Sequence, residues 1–405
     1  MRFFVVDDSK SAISAIRDPL QELGHEVEAE TDSTRALERI RFYKPDCAVL
    51  DIMMPGVDGF ALLGQIRKEP ELRGLRVIMV SAKAYEHDRK RAVELGAAGF
   101  INKLVEKANL IDRILEIAES RYTLKFWGVR GTLPVPGPNS LRYGGNTNCV
   151  TLELPNRTLF IFDAGTGIKA LSDSLVAEKR SPITGRIFIS HPHWDHINAL
   201  PFFVPLYARE NKFEILGCSH AGISMQQMIS AQMDGVYFPV TVQVFAADLR
   251  YRDLAEGTYD VDGLKVETLL LKHPGHCLGY RVNCNGHAVC YVSDNELYPR
   301  DSEYYDKQFH ERLVEFIGGA KYVIADATYR DEEYAPKTHW GHSPVSEVAT
   351  VAHEAGVETL FLYHHDPDQG DAQIDAKLET AKKKLAKLGS KTVVEAPSEG
   401  SSYRF

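Results

Sequence analysis

Six consecutive residues, His191-Pro192-His193-Trp194-Asp195-His196, place three imidazoles and a carboxylate in one turn, directly after the apolar run Arg186-Ile187-Phe188-Ile189-Ser190. Imidazole and carboxylate are the donors that suit zinc and its first-row neighbours. Packing alone does not call for four such groups in six residues, so the segment reads as a metal site. Further candidates follow other apolar runs: His273 and His276 in Lys272-His273-Pro274-Gly275-His276, Asp294 after residues 288–293, Asp326 after residues 322–325, and His364-His365-Asp366 after residues 359–363. A lone histidine after a strand is usually an ordinary loop residue. Together with the hexapeptide, these supply ligands for two metals. His191 and His193 alternate and can face one ion, while Asp195 and His196 turn towards a second. Such a pair needs a bridging carboxylate and a bridging water, whose pKa it lowers towards neutrality.

A second set of chemical groups lies near the N-terminus. Asp7 and Asp8, Asp51, Ser81 and Lys103 each stand at the end of an apolar run. Carboxylates converging in one crevice repel one another unless a cation joins them, so Mg²⁺ is the expected partner. Asp51 is then available as a nucleophile towards a phosphoryl group, with Ser81 and Lys103 to bind its oxygens.

The elements that must position these groups differ between the two halves. Phe3 to Val6, Cys47 to Leu50, Val77 to Val80 and Gly99 to Ile101 read as buried strands, separated by helical patterns such as residues 9–23. Strands alternating with helices imply a doubly wound parallel sheet with its ligands at the carboxyl ends of the strands. From residue 123 onward there are many strands interspersed with helices, with hairpins expected at Pro155-Asn156-Arg157 and Asn285-Gly286-His287. The expected boundary puts one domain at 1–121 and another at 122–405. No Gly/Ser- or Pro-rich linker separates them, so close association is expected.

Composition narrows the function classes. The 405 residues are 44% hydrophobic and 25% charged, as in ordinary globular proteins. No apolar stretch is long enough to span a bilayer, and acids follow the first few residues, so a cytoplasmic location is expected and no membrane association. The six cysteines form no CxxC pair and are expected as buried thiols, Cys277 being the one nearest candidate ligands. A net charge of −9 gives no basic field for nucleic acid, and no basic helix-turn-helix follows the first domain, so transcriptional control is not expected. The run Lys382-Lys383-Lys384 with Lys387 is read as a solvated helix face.

Asp7-Asp8, Asp51-Ile52-Met53-Met54-Pro55-Gly56-Val57-Asp58-Gly59, Ser81-Ala82-Lys83 and Phe100-Ile101-Asn102-Lys103 resemble the receiver domain of two-component response regulators over essentially all of residues 1–120. The resemblance implies a (βα)5 fold with Asp51 as phosphoacceptor. Asp7, Asp8 and Asp51 would bind Mg²⁺, Ser81 and Phe100 would act with Lys103 in the switch, and a sensor histidine kinase would be the phosphodonor. Leu104 departs from the family, which usually has proline there.

Residues 123–405 resemble the metallo-β-lactamase superfamily, an αββα sandwich whose founding motif is His-x-His-x-Asp-His. They are most similar to its phosphodiesterase branch, with the tRNA 3′-processing endonucleases. Residues 126–131, Tyr143-Gly144-Gly145-Asn146-Thr147, Leu278-Gly279-Tyr280-Arg281 and Trp340-Gly341-His342-Ser343 support this. By resemblance, one metal takes His191, His193 and His273, the other takes Asp195, His196 and His364, and Asp294 bridges. His273 is preferred to His276, and Asp294 to Asp326. His342 resembles the branch's catalytic histidine, with Asp195 serving catalysis as well as binding. A simpler role for the 342–344 segment is a helix N-cap at Ser343-Pro344. His339 and Trp340, and the aromatics Tyr237, Phe238 and Tyr251, are candidates for the pocket wall.

The expected function is a response regulator whose output is a two-metal hydrolase. Its metal-bridging hydroxide would attack a phosphodiester or nucleotide under control of Asp51 phosphorylation. Zinc is the first expectation, with manganese and iron also suited. The alternatives are a hydrolase of lactones, thioesters or amides, and a non-catalytic metal-binding signalling module. A redox di-iron role would call for Glu at the position of His193. Homodimerisation is left open.

Overall fold

The computed structural model describes residues 1–72, 74–82, 85–103 and 109–405. Lys83 and Leu104, both named above, lie outside the described residues. The chain separates into two compact units. One is Met1–Ser120 with Thr258–Val266 and Val282–Ala288, and the other is Arg121–Gly257, Glu267–Arg281 and Val289–Phe405.

The N-terminal 120 residues form five parallel strands: β1 (Arg2–Val6), β2 (Glu26–Glu30), β3 (Cys47–Asp51), β4 (Arg76–Ser81) and β5 (Gly99–Asn102). Their order is β2-β1-β3-β4-β5. The intervening helices are α1 (Lys10–Glu22), α2 (Ser33–Tyr43), α3 (Gly59–Lys68), α4 (Glu86–Glu94) and α5 (Leu110–Glu119). Alternate side chains of each strand feed opposite cores. Phe4, Val6, Ala48 and Leu50 pack with residues of α2 and α3. Phe3, Val5, Cys47 and Val49 pack with Ile13, Ile16 and Ile114 of α1 and α5. A parallel sheet covered on both faces gives such near-continuous apolar strands. β2 (Glu-Val-Glu-Ala-Glu) lacks that signature because it is an edge strand, and charge along an exposed edge discourages pairing with other chains.

The second half is a sandwich of two seven-stranded sheets. The first sheet contains β6 (Thr123–Gly128), β7 (Cys149–Glu153), β8 (Leu159–Phe162), β9 (Thr184–Ile189), β10 (Lys212–Cys218) and β11 (Asp248–Leu254). The second contains β12 (Gly257–Val261), β13 (Leu264–Leu270), β14 (Leu278–Cys284), β15 (His287–Val292), β16 (Tyr322–Asp326), β17 (Thr359–Tyr363) and β18 (Val393–Glu395). β19 (Ser402–Arg404) closes the first sheet antiparallel to β6. The orders are β11-β10-β9-β8-β7-β6-β19 and β12-β13-β14-β15-β16-β17-β18. Between β14 and β15, Asn285 (φ 47°) and Gly286 (φ 84°) make the two-residue turn that an Asn-Gly pair favours.

Aromatic rings fill the space between these sheets. Phe162 meets Tyr291, Phe188 meets Tyr280 and Phe126 meets Phe361, with ring centroids 5.3, 5.2 and 5.2 Å apart. Three fully buried tyrosine hydroxyls between the sheets are satisfied. Tyr280 donates to Ile189 O, Tyr363 to Gly128 O, and Tyr291 to Asp163 Oδ2, as buried phenols require. The helices of this half are α6 (Gly167–Ala177), α7 (Trp194–Ile197) and α8 (Met225–Ala231), which come from the first-sheet region. From the second come α9 (Lys307–Ile317), α10 (Asp331–Tyr334), α11 (Val345–Glu354) and α12 (Asp371–Lys387). All six cysteines are free thiols. Among the described residues, no helix is long and apolar enough to cross a membrane.

Candidate metal centre

Every group in the centre stands at the carboxyl end of a strand or in the loop that follows. β8 delivers Asp163, β9 the hexapeptide, β13 His273, β15 Asp294, β16 Asp326 and β17 His364. After β9 the chain turns at once into the four-residue α7, with His193 just before its first turn and the His196 N–H bonded to His193 O at 3.0 Å. That turn places Asp195 and His196 in a different donor group from His191 and His193.

Two groups of donors result. His191, His193, His273 and Asp294 offer ligand atoms within 4.8 Å of one another, and so do Asp195, His196 and His364. Asp294 faces both groups. Its Oδ2 lies 3.6 Å from His191 Nε2 and 3.6 Å from His273 Nε2. Its Oδ1 lies 3.2 Å from His196 Nε2 and 3.1 Å from His364 Nε2. Asp195 Oδ2 is 3.2 Å from both His196 Nε2 and His364 Nε2. His342 also reaches the cluster, since a nitrogen of its ring comes within the same distance of Asp294 and His364 donors.

A second layer fixes which nitrogen each histidine turns inward. His196 Nδ1 meets Asp163 Oδ2 at 2.7 Å, and Asp163 also accepts from Ser190 N, Ser190 Oγ and the Tyr291 hydroxyl. His273 Nδ1 donates to Gly341 O at 2.9 Å, and His364 Nδ1 meets Thr328 Oγ1 at 3.1 Å. Asp195 Oδ2 accepts from Thr132 N and Asn148 Nδ2. Partners of this kind fix the tautomer and orientation of metal-binding imidazoles. Asp163 (φ 60°) and His364 (φ 58°) adopt the left-handed backbone conformation, which non-glycine residues hold only where the surroundings enforce it.

The donor set fits a divalent cation. His191 Nε2 is buried with no hydrogen-bond partner, aimed at the Asp294 carboxylate. Burial pushes the pKa values of His191, His193 and His273 down, leaving neutral imidazoles with a lone pair to give. Burial acts upward on Asp195 and Asp294, but the surrounding histidines, His196 and His364 foremost, outweigh it and hold both carboxylates well below their usual range. Around His196 burial is overcome by Asp195, Asp294 and Asp163, which raise its pKa well above the ordinary value. That excess of negative charge favours a cation in the same place.

The remaining sequence candidates lie elsewhere. His276 (φ 59°) turns away from the cluster and packs against His220 with ring centroids 5.0 Å apart. Asp326 does not join the ligand groups. Its Oδ2 instead holds His342 Nδ1 at 2.8 Å, and its Oδ1 accepts from Thr328 N and Oγ1. Ser343 does not cap α11, because its hydroxyl donates to Asn295 O and accepts from Leu297 N. Burial lowers the pKa of His342, but Asp326 outweighs burial and holds it up to about 9.

A family model described as a beta-lactamase superfamily domain matches residues 158–365, just over half of the chain. This chain belongs to the beta-lactamase superfamily. The model of the response regulator receiver domain matches residues 3–115, so a receiver domain precedes the superfamily domain. The receiver half is similar to the DNA-binding transcriptional activator EvgA of Escherichia coli, 36% identical over 123 residues that cover 30% of this chain and 59% of EvgA. It is also similar to the response regulator PleD of Caulobacter vibrioides, 28% identical over 30% of this chain and 27% of PleD. The chain therefore spans less than two thirds of these relatives. Among solved structures, the metallo-beta-lactamase fold protein YhfI of Bacillus subtilis superposes with a TM-score of 0.51 at 17% identity, covering 70% of this chain and all of YhfI. That likeness shows the fold.

Within the receiver domain, the strand-end residues converge as the doubly wound topology requires. Lys103 Nζ bonds Asp7 Oδ2 and Asp51 Oδ1, each at 2.5 Å. Burial lowers the pKa of Lys103, but Asp51 and Asp7 outweigh it and the net shift is upward. Asp7, Asp51, Ser81 and Phe100 are buried, while Asp8 is exposed. In the superfamily domain, Tyr251 packs against the apolar cluster of the first sheet and Tyr237 is exposed. Sequence reasoning missed Asp163, Ser190, Thr132, Asn148, Thr328 and Glu296. Of these only Asp163 carried a readable signal, an acid directly after the apolar strand Leu159–Phe162.

Proposed function

We propose that this chain is a two-metal phosphodiesterase switched by phosphorylation of its receiver domain. The observation that carries the reading is the Asp294 carboxylate, one oxygen turned to each of two histidine-rich donor groups. His191, His193 and His273 would hold one divalent ion, Asp195, His196 and His364 the other, and Asp294 both, with zinc the first candidate and manganese or iron also suited. When bound, the ions would offset charge on the phosphate oxygens and acidify the attacking water. Asp195 would orient that water as well as bind metal. His342, held through Nδ1 by Asp326, would present its other nitrogen to the phosphate and protonate the leaving oxygen. Its raised pKa, about 9, keeps that proton in place at neutral pH. A phosphodiester is favoured over a carbonyl substrate because an imidazolium beside the donor groups suits a second developing negative charge.

In the receiver domain, Asp51 would accept a phosphoryl group from a sensor histidine kinase, with Mg²⁺ held by Asp7, Asp8 and Asp51. Lys103 already reaches Asp51 and would pair with the phosphoryl oxygens.

The test is hydrolysis of bis-p-nitrophenyl phosphate by the full chain with Zn²⁺ or Mn²⁺, with and without beryllium fluoride as phosphoryl mimic. Metal-dependent turnover is expected, changed by the mimic and abolished in His193→Ala. No turnover in the metal-loaded wild type, or equal turnover in His193→Ala, would sink the proposal.

A further inference from the structure

Glu296 lies two residues beyond Asp294 and is buried. It is not among the groups that face the donor cluster, yet its carboxylate organises the loop opposite. Oε1 accepts from the Tyr334 hydroxyl at 2.8 Å and from His339 N at 2.7 Å, while Oε2 accepts from Gly341 N at 2.8 Å. Gly341 carries the consequence. It has φ 86°, its N–H points to Glu296, and its carbonyl accepts from His273 Nδ1. A Cβ on Gly341 would fall 2.4 Å from His273 Nδ1. The next residue in the chain is His342.

Neighbouring contacts lock the same two loops together. Glu296 N donates to Lys272 O at 2.8 Å, and Lys272 N donates to Asn295 Oδ1 at 3.0 Å. Ser343 Oγ donates to Asn295 O and accepts from Leu297 N. The stretch 294–297 thus supplies one shared carboxylate and grips the loops that carry His273 and His342.

We propose that Glu296 is a positioning residue for the candidate centre, holding Gly341 in its left-handed conformation so that the Gly341 carbonyl orients His273 and the next residue, His342, is set in place. This rests on the two-metal reading given above. A buried carboxylate suits the task because it offers acceptors only. Glutamine is nearly the same size but has one carbonyl oxygen and one NH₂ group. With its oxygen turned to Tyr334 and His339, the NH₂ faces the Gly341 N–H, donor against donor. The Gly341 contact is lost while the rest of the loop stays anchored.

The experiment is cobalt(II) titration of the metal-free full chain with chelator competition, comparing wild type, Glu296→Gln and Tyr334→Phe. Loss of an orienting partner costs about 10- to 100-fold in metal affinity. Glu296→Gln should therefore weaken one of two ions about tenfold or more and leave the other nearly unchanged. Tyr334→Phe removes a different hydrogen bond to the same carboxylate and should leave both ions at wild-type affinity. Equal affinities in Glu296→Gln and wild type, or equal losses at both ions, would overturn the inference. If Glu296→Gln does not fold, Glu296→Asp, which keeps the charge but shortens the reach to Gly341 N, is judged by the same outcomes. A wild type that binds fewer than two ions defeats the two-metal reading itself, whereas two ions with Glu296→Gln unaltered defeats only the role of Glu296.

Discussion

Lys377, on α12, is fully enclosed, and its charge makes a test of the second layer possible. Its Nζ donates to Gln369 Oε1 at 2.8 Å and to Thr328 O at 3.1 Å, just behind His364. Burial pulls its pKa from 10.5 down to about 7, against the pull of Asp326, Glu333 and Asp366. Between those values the unfolded chain binds more protons than the folded one, so stability rises with pH there. One proton is worth about 1.4 kcal/mol per pH unit. The buried lysine therefore withholds roughly 4–5 kcal/mol below pH 7, a penalty that vanishes above about pH 10. Lys377→Met has similar reach and nothing to titrate. It deprives two acceptors of a donor at about 1 kcal/mol each, although Thr328 O keeps the Gln369 Nε2 donor. The variant should be roughly 2–3 kcal/mol more stable than wild type near neutral pH, the gap shrinking by about 1.4 kcal/mol per pH unit as the buffer becomes alkaline. Urea unfolding in EDTA, followed by tryptophan emission, measures this. Trp127, Trp194 and Trp340 all lie beyond residue 121, so the signal reports on the sandwich domain. Wild-type and variant stabilities that run parallel across this pH range would refute the reasoning.

Asp326→Asn removes the carboxylate that holds His342 up to about 9. Because the folded pKa is above the ordinary value of 6.5, the pair's contribution is complete below about pH 6.5 and lost as pH rises through about 9, roughly 3 kcal/mol in all. The stability difference from wild type in EDTA should narrow over that range, and in the metal-loaded enzyme the alkaline limb of kcat should move to lower pH. An unmoved limb would argue against His342 as the acid. Gly131→Ala would put a Cβ 2.1 Å from His364 Cε1. On the two-metal reading, elemental analysis should then find one ion per chain against two expected for wild type, and full occupancy would show that His364 is dispensable.

The receiver fold was legible in the sequence because each strand ends on a chemically distinctive residue, and parallel strands bring such ends together. Only β2 lacked a signature, its apolar pattern diluted by edge-strand glutamates. The donor groups were legible for the same reason, since the apolar runs preceding His191, Asp294 and His364 announce strand ends. Spacing alone did not separate His273 from His276, three residues apart in one loop, because the backbone reversal at Gly275 and His276 decides which imidazole turns inward. The second layer was not legible at all. Thr132, Asn148, Thr328 and Glu296 are single polar residues in separate loops, and their roles depend on contacts spanning up to 63 residues, as between Thr132 and Asp195. Ser343 resembled a helix cap because the sequence shows its neighbour α11 but not the partner loop at 295–297.

The donors of each group come from both sheets. His191 and His193 follow a strand of the first sheet, and His273 follows one of the second. Asp195 and His196 belong to the first, His364 to the second, and Asp294, also from the second, serves both. Asp163 extends the pattern inward, since it steadies His196 on one sheet while accepting from Tyr291 on the other. On the two-metal reading, metal affinity and sheet alignment would be a single mechanical coordinate. An ion held by such a set acts as a rivet through the sandwich, and any shear of one sheet against the other registers as a change in how tightly it is held.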